Sequence, residues 1–118
     1  MNNIFEEIVK VLDFNKCENI VALDVRGKTY LADTFIIATI LNKPHAEAIC
    51  KKVEEVIDAS QKADENYFHV EGRKEGEWVL IDTGDIIIHL FQPNIRTFYN
   101  LESLWGDAQE LEISHLLV

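Results

Sequence analysis

The sequence contains only two cysteines, Cys17 and Cys50, and their separation matches no metal-binding or redox motif. Such sparse cysteine usage is typical of a reduced, cytosolic chain and argues against a disulfide-rich secreted domain. The longest apolar run, residues 35–41, is far shorter than the roughly 20 residues that cross a membrane. Glu6 and Glu7 stand where a signal peptide carries positive charge. We therefore expect no targeting segment, no membrane contact and a cytoplasmic location.

The sequence also has few residues arranged for catalysis or for holding a metal or cofactor. Its five glycines, at positions 27, 72, 76, 84 and 106, form no phosphate-cradling pattern. His45, His69 and His115 have no partner at metal-ligand spacing. No serine or cysteine occupies a nucleophile elbow. The sequence thus predicts no catalytic residue, no metal and no cofactor.

Basic residues are scarce in the second half of the chain. The net charge is −10, of which residues 1–63 contribute −2 and residues 64–118 contribute −8, and no Lys or Arg follows Arg96. Such a surface repels phosphate and attracts basic partners, so we expect no direct nucleic-acid binding. On charge alone, an acidic surface that serves only solubility remains an equally open interpretation.

Residues 77–91 form the densest apolar stretch of the sequence. Their pattern predicts two strands joined by a tight Thr83-Gly84 turn, since glycine accepts the positive φ that such a turn requires. Residues 86–88 are all isoleucine, which predicts a central strand that is buried on both faces. Residues 93–107, which follow, predict a short helix that carries two large aromatic side chains.

The rest of the chain predicts two further helices and three further strands. The first helix begins at an Asn3 cap, and the second is capped by Asn42 or Lys43 with Pro44 in its first turn. Cys50 lies on the apolar stripe of that second helix, which predicts a core position. We expect strands at residues 19–25, 35–39 and 67–71, and a polar connection at residues 60–66.

These elements predict an α+β, or mixed α/β, single domain. The order α-β-β-α-β-β-β-α gives a sheet of about five strands with helices packed on it. We assign residues 1–108 to this domain and residues 109–118 to an acidic C-terminal tail.

Two carboxylates flank the predicted turn. A Thr83-Gly84 turn sets Asp82 and Asp85 opposite each other, with Cβ atoms roughly 5 Å apart. Carboxylates at that distance can share a proton or bind a cation, or they can simply accept hydrogen bonds from turn N–H groups. His89 lies on the same strand face as Asp85 but about 13 Å away, which excludes acid–base pairing between them.

Three aromatic residues, Trp78, Tyr99 and Trp105, allow either a core or a surface role. Aromatic side chains in a domain of this size are usually part of the core. Trp78, however, shares its strand face with Asp82, and the other two share a short segment with Glu102. Aromatics rimmed by acids are typical of a surface that binds a basic protein.

The sequence resembles the ribosomal silencing factor family (RsfS, Iojap-like) over residues 3–108. Weaker parts of the resemblance lie at residues 22–27, 32–39 and 70–72. Its most specific part combines two runs in fixed order and spacing, Glu-Trp-Val-x-x-Asp-x-Gly-Asp-x-x-x-His at residues 77–89 and Phe-Tyr-x-Leu-Glu-x-Leu-Trp at residues 98–105. Either run alone is moderately specific, and together they are highly specific.

The resemblance implies a non-catalytic regulator of translation with a fold similar to that of nucleotidyltransferases. Family members bind the large ribosomal subunit through its basic ribosomal protein number fourteen, block association with the small subunit and lower translation when nutrients are limiting. Homodimers occur in the family. Carried over by position, the partner-binding residues are Trp78, Asp82, Asp85, His89, Tyr99, Glu102 and Trp105.

The sequence departs from the family pattern at two places. Residues 38–44 replace a usual Ala-Thr-Gly-x-Ser-x-Arg and so lack its Gly, Ser and Arg, and Thr83 replaces a frequent Tyr or Leu. The first departure weakens an alternative function, a nucleotidyltransferase-like enzyme in which Asp82 and Asp85 act on a metal–nucleotide complex. A further alternative is a homodimeric scaffold whose aromatic residues serve self-association.

Overall fold

The computed structural model describes residues 4–60 and 67–118. The predicted Asn3 cap and residues 61–66 of the predicted polar connection lie outside these residues. The elements, in chain order, are α1 (Ile4–Phe14), β1 (Glu18–Asp24), β2 (Thr34–Thr39), α2 (Lys43–Asp58), β3 (His69–Glu71), β4 (Trp78–Asp82), β5 (Ile86–Phe91), α3 (Pro93–Tyr99), α4 (Leu101–Leu104), β6 (Gln109–Glu110) and a 3₁₀ helix (Ser114–Leu116).

The strands form one mixed sheet in the order β3-β4-β5-β2-β1-β6. Only the central pair, β2 and β5, is parallel, and every other neighbouring pair is antiparallel. The predicted mixed α+β domain is confirmed. The sheet has six strands where about five were expected, because the two-residue strand β6 pairs with Leu23 and Asp24 of β1.

Strand β5 is buried along its whole length, as its run of isoleucines predicts. It lies between β4 and β2, so both of its edges are hydrogen-bonded and both of its faces are covered. Ile86 and Ile88 face the larger core cluster, whereas Ile87 and Phe91 face the smaller one. This strand therefore separates two apolar layers.

The turn between β4 and β5 lies one residue later than the sequence predicts. Asp82 pairs with Ile87, and the Thr83 N–H donates to the Ile86 carbonyl at 2.9 Å, so the chain reverses at Gly84 and Asp85. Gly84, with φ of +96°, occupies the first of these two loop positions, where a side chain is disfavoured. The predicted juxtaposition of Asp82 and Asp85 is consequently wrong.

The helices cover the two faces of the sheet to different extents. Helices α1 and α2 cover one face, where Ile8, Leu12, Ile49 and Val53 are fully buried. The short α3 and α4 cover part of the other face and contribute a single buried residue, Leu101. The face beneath α3 and α4 is therefore the less protected one.

Local sequence explains where α2 and α3 begin and end. The Asn42 side chain accepts a hydrogen bond from the His45 N–H at 2.9 Å, which identifies Asn42 as the α2 cap and places Pro44 in the first turn. The helix predicted at residues 93–107 is divided in two, because Asn100 adopts the left-handed conformation with φ of 48°. Asparagine tolerates this conformation better than other residues with a side chain.

Residues 109–118, expected as an acidic tail, pack along the edge of the sheet. The Leu111 N–H donates to the Ala22 carbonyl at 2.8 Å, beyond the β6 pairing. Ile113 and Leu116 are buried in the larger core cluster, while Glu110 and Glu112 stay exposed. The segment thus combines an acidic exterior with apolar anchors.

Both cysteines are buried, which confirms the core position predicted for Cys50. Burial raises the pKa of the Cys50 thiol to about 11, and burial together with Asp13 raises that of Cys17 to about 12. Neither side chain is therefore a reactive thiolate at neutral pH. Among the helices of the described residues, none is both long and apolar enough to cross a membrane.

Candidate interaction surface

Trp78 begins β4 and lies half-buried on the less protected face of the sheet. Its ring centroid is 4.8 Å from that of Phe91, its cross-strand partner, and 4.9 Å from that of Tyr99 on α3. On this face Leu80 is also only half-buried. Phe91 and Tyr99 therefore hold the Trp78 ring in place, while part of the ring stays accessible to solvent.

His89 lies behind Trp78 and is 5% exposed. Its Nδ1 accepts a hydrogen bond from the Trp78 indole Nε1–H at 3.2 Å. The edge of the Phe35 ring meets the imidazole at a centroid distance of 4.9 Å. Burial among these apolar groups lowers the pKa of His89 to about 4, so the ring is neutral at physiological pH.

Helix α3 exposes two adjacent aromatic rings. Phe98 is 78% exposed and Tyr99 is 53% exposed, and their rings meet edge to face at a centroid distance of 5.1 Å. Together with Trp78, which Tyr99 contacts, they form a continuous set of accessible rings. We call Trp78, Phe98 and Tyr99 the aromatic surface. Leu104, on α4, is a further apolar side chain with 74% exposure.

Trp105 lies at the end of α4 and is half-buried. Its ring packs edge to face on Phe35 at a centroid distance of 5.2 Å. Since Phe35 also contacts His89, a series of ring contacts connects Trp105 to Trp78 through the smaller core cluster. The two tryptophans thus belong to one aromatic assembly.

Arg96 joins α3 to α4 through an ion pair and holds both helices to the sheet through further hydrogen bonds. Arg96 donates to the Glu102 carboxylate through Nη2 at 2.6 Å and through Nε at 3.1 Å. The same guanidinium donates through Nη1 to the Thr39 hydroxyl and the Asn19 carbonyl. Glu102, a predicted partner-binding residue, is therefore engaged within the domain, and its side chain is one-third exposed.

The two aspartates predicted at the β4–β5 turn, Asp82 and Asp85, make different contacts. Asp82 accepts a hydrogen bond from the Gly84 N–H at 2.9 Å, as turn aspartates commonly do. Asp85 is exposed and lines a groove with Asp24 and Asp33, next to the larger core cluster. Within residues 4–60 and 67–118, no group of three His, Cys, Asp or Glu side chains could hold a metal ion.

The structure unites only part of the predicted residue set. Trp78, His89 and Tyr99 meet around one indole ring, and Trp105 joins them through Phe35. Asp82, Asp85 and Glu102 make their contacts elsewhere. The role of all seven residues in binding a partner stays a prediction. The carry-over by position also omits two exposed side chains, Phe98 and Leu104.

A signal for one of these omitted residues was present in the sequence. Phe98 and Tyr99 are consecutive in a helix, where neighbouring side chains point roughly 100° apart. A short helix on one face of a sheet therefore cannot bury both rings. Leu104 carries no comparable signal, because the break at Asn100 places it in a separate four-residue helix that the sequence did not predict.

Comparison with known proteins places these features in context. A family model described as "Ribosomal silencing factor during starvation" matches residues 1–117. The chain is 35% identical over 109 residues to ribosomal silencing factor RsfS of Halalkalibacterium halodurans, which covers 92% of this chain and 91% of that relative. A crystal structure of a Chromobacterium violaceum protein is similar with a TM-score of 0.77 and 29% identity, covering 97% of this chain and 93% of that one. A more distant relative, "Mitochondrial assembly of ribosomal large subunit protein 1" of Mus musculus, is 26% identical over 98 residues, which are 83% of this chain and 43% of that protein.

Proposed function

The chain belongs to the ribosomal silencing factor family, and we propose that it binds the large ribosomal subunit and sterically prevents the small subunit from joining. The family description refers to starvation, which supports repression of translation when nutrients are limiting. The name of the mouse relative refers to the large subunit, which favours that subunit as the partner. Acting on ribosomes, the protein would work in the cytoplasm.

We propose that the direct contact is a basic ribosomal protein, number fourteen of the large subunit. The net charge of −10 supports a basic partner on a phosphate-rich particle, since the chain itself repels phosphate. Glu77, which precedes Trp78, is exposed and adds negative charge beside that tryptophan. Charges at the rim of an interface mainly raise the association rate and exclude wrong partners.

The observation that carries this proposal is the aromatic surface. Phe98 and Tyr99 are exposed beside a half-buried Trp78. The free domain therefore lacks the stabilisation that burial of these rings would provide. Exposed aromatic groups fixed by their neighbours are typical of residues that dominate binding energy. The aromatic surface therefore supports docking of a protein rather than turnover of a small molecule.

We propose that silencing involves no chemistry. The enzymatic alternative needed a pair of carboxylates at the β4–β5 turn, and the register places Ile87, not Asp85, opposite Asp82. The Asp82 carboxylate is engaged by the Gly84 N–H. In the segment that departs from the family pattern, Thr39 and Asn42 serve structural hydrogen bonds to Arg96 and His45.

Gradient co-sedimentation with isolated large and small subunits tests the proposal. We expect the chain to migrate with large subunits only, and to reduce the yield of joined particles when small subunits are added. Trp78→Ala should weaken binding by roughly thirtyfold, since losing an aromatic anchor costs about 2 kcal/mol. Migration with both subunits, or with neither, would contradict the proposal.

Phe14→Ala is the matched control for this experiment. Phe14 is an exposed aromatic residue at the end of α1, the helix that covers the opposite face of the sheet. Its replacement should leave co-sedimentation unchanged. If Phe14→Ala weakened binding as much as Trp78→Ala, the aromatic surface would lose its assigned role.

Light scattering of the same variants tests whether the chain forms a homodimer, as the family resemblance implies. Self-association through the aromatic surface predicts that Trp78→Ala becomes monomeric while its ribosome binding persists. Under our proposal, Trp78→Ala loses ribosome binding and keeps the oligomeric state of the parent chain.

A further inference from the structure

We propose that His89 is a positioning residue, which orients the Trp78 indole for the partner without touching the partner itself. This inference rests on the proposed function, because it assigns His89 a role within the aromatic surface. It differs from the position-based expectation, which makes His89 a direct contact. Since His89 is only 5% exposed in the free domain, it offers a partner little surface for direct contact.

The register explains why these two residues meet. Trp78 pairs with Phe91 and Leu80 pairs with His89, so Trp78 and His89 are diagonal neighbours on one face of the β4–β5 pair. Diagonal neighbours in an antiparallel pair are within reach of long and aromatic side chains. The resulting hydrogen bond, from the indole Nε1–H to Nδ1 at 3.2 Å, joins a fully buried strand to the half-exposed start of β4.

The chemistry of the two rings determines the protonation of the imidazole. An indole nitrogen is a donor only, so Nδ1 of His89 must carry no proton. A neutral imidazole then carries its hydrogen on Nε2. Within the described residues, Nε2 is buried and has no hydrogen-bond partner. His89 is thus held in the tautomer that can accept from Trp78, with its other nitrogen unused.

The unused Nε2 indicates why a histidine stands at this position. If the site required only packing against Phe35 and Phe91, leucine or phenylalanine would fill it without burying an unpaired polar atom. The one interaction that an apolar side chain could not provide is the Nδ1 acceptor. The geometry therefore points to the indole hydrogen bond as the purpose of His89.

Orientation of the indole determines what a partner meets. With its N–H directed inward, Trp78 presents carbon atoms and π-electrons and has no polar atom left to satisfy. Such a ring suits the aliphatic stems and cationic heads of Lys and Arg side chains, which are attracted to indole faces. Without the hydrogen bond, the ring could rotate and expose its N–H. The bond thus selects the binding orientation before the partner arrives.

An isosteric pair of substitutions isolates the acceptor. In His89→Asn the amide oxygen can take the place of Nδ1, whereas His89→Leu has the same shape as asparagine but no acceptor. We expect His89→Asn to bind large subunits within about twofold of the parent chain, and His89→Leu to bind roughly fivefold more weakly or worse, because one neutral hydrogen bond is lost. Equal binding by both variants would overturn the proposal.

Nuclear magnetic resonance of the free protein gives a readout that is independent of binding. The indole N–H of Trp78, assigned by comparison with Trp105→Phe, should exchange slowly with solvent in the parent chain and in His89→Asn. It should exchange quickly in His89→Leu. Slow exchange in His89→Leu would contradict the inference. Should His89→Leu fail to fold, His89→Phe, which keeps a ring without an acceptor, replaces it with the same expectations.

The two readouts separate the two proposals. If the parent chain does not bind large subunits, the proposed function fails, and the indole exchange rates alone decide whether His89 orients Trp78. If the parent chain binds and His89→Leu binds equally well despite rapid indole exchange, the positioning role fails and the proposed function stands.

Discussion

His89 is a base enclosed by aromatic rings, so its titration connects solution pH to folding. Burial lowers its pKa from 6.5 to about 4 in the folded domain, whereas the unfolded chain keeps the ordinary value. Between these two values the unfolded state binds a proton that the folded state does not bind. The free energy of unfolding must therefore decrease as the pH falls from 6.5 towards 4, and it is fully restored above 6.5.

We predict that this titration removes about 3 kcal/mol of stability over that range. Urea unfolding of the parent chain at several pH values measures the loss. His89→Leu lacks the titrating group but shares every other ionisable side chain, so its stability should decline less steeply over the same range. Parallel pH dependences for the two proteins would show that His89 is not the group responsible.

At the residue scale, the sequence predicted whether a single side chain is buried better than it predicted which side chains contact each other. The position of Cys50 followed from helical periodicity, which depends only on spacing along the chain. The failed Asp82–Asp85 pair depended on which of two adjacent residues began the turn. The contact between His89 and Trp78 was not predicted, because it is a diagonal contact that requires the true register.

The connection between β3 and β4 leaves no space for a side chain at Gly72. This residue has φ of +86°, and an added Cβ would collide with the Trp78 carbonyl. Gly27 is a matched control, since it has a similar φ of +79° but nothing within 4 Å of an added Cβ. Both alanine substitutions carry the backbone strain of a positive φ, and only that at Gly72 adds the collision.

We predict that Gly72→Ala lowers the free energy of unfolding by at least about 2 kcal/mol more than Gly27→Ala. Chemical denaturation of both variants measures this difference. Because the collision involves the first residue of β4, Gly72→Ala should also alter the fluorescence of Trp78. Equal destabilisation by the two substitutions would mean that the β3–β4 connection can shift to accommodate a side chain.

Helices α3 and α4 depend on Arg96. Its side chain is 11% exposed, and its guanidinium contacts Glu102, Thr39 and Asn19, so it links both helices to β1 and β2. We predict that Arg96→Met costs about 2 kcal/mol, because it leaves a partly buried carboxylate without its partner. Denaturant unfolding measures this loss, and Arg96→Met should also weaken large-subunit binding by displacing Tyr99.

Arg26→Met serves as the comparison for Arg96→Met. Arg26 also pairs with a carboxylate, that of Asp24 at 2.8 Å, but its guanidinium is largely exposed. An exposed ion pair contributes little to stability, so this variant should unfold like the parent chain. A similar loss for both variants would indicate that burial of the Arg96 pair has no special importance.

At the element scale, regular periodicity and buried runs were read correctly, whereas strand β6 and the division between α3 and α4 were not. Helix α2 and strand β5 have long, uninterrupted patterns, and both lie within a residue or two of their expected positions. Strand β6 has two exposed residues and no apolar alternation, so only its pairing with β1 reveals it. The break between α3 and α4 depends on the conformation of Asn100 alone.

For the whole molecule, the uneven charge predicts how binding responds to salt. Mobile ions screen exposed charges over about 8 Å at physiological ionic strength and about 3 Å at 1 M. Under the proposed function, we expect the rate of association with large subunits to fall about tenfold over that range, since the net charge of −10 would guide the encounter with a basic protein. The dissociation rate should change far less, because the aromatic contacts carry no charge.

Surface-immobilised large subunits would give both rates directly. A dissociation rate that rose as steeply as the association rate fell would place the ion pairs, rather than the aromatic rings, at the centre of the contact.

The sign of the net charge followed directly from composition, whereas the location of the aromatic surface required the fold. Residues 78 and 99 approach each other only because α3 returns across the sheet.

The parallel pairing of β2 with β5 also has a consequence for how quickly the domain forms. Its register joins Thr34 to Ile86, which are nearly half the chain apart, so the middle of the sheet cannot assemble from local hairpins alone. Closing so large a loop before any pairing energy is gained slows folding. A partly folded chain that contains only the β3–β4–β5 meander would lack the Phe35 ring on which Trp105 rests. Newly made molecules should consequently become competent to silence ribosomes in a single late step, when the two distant strands meet.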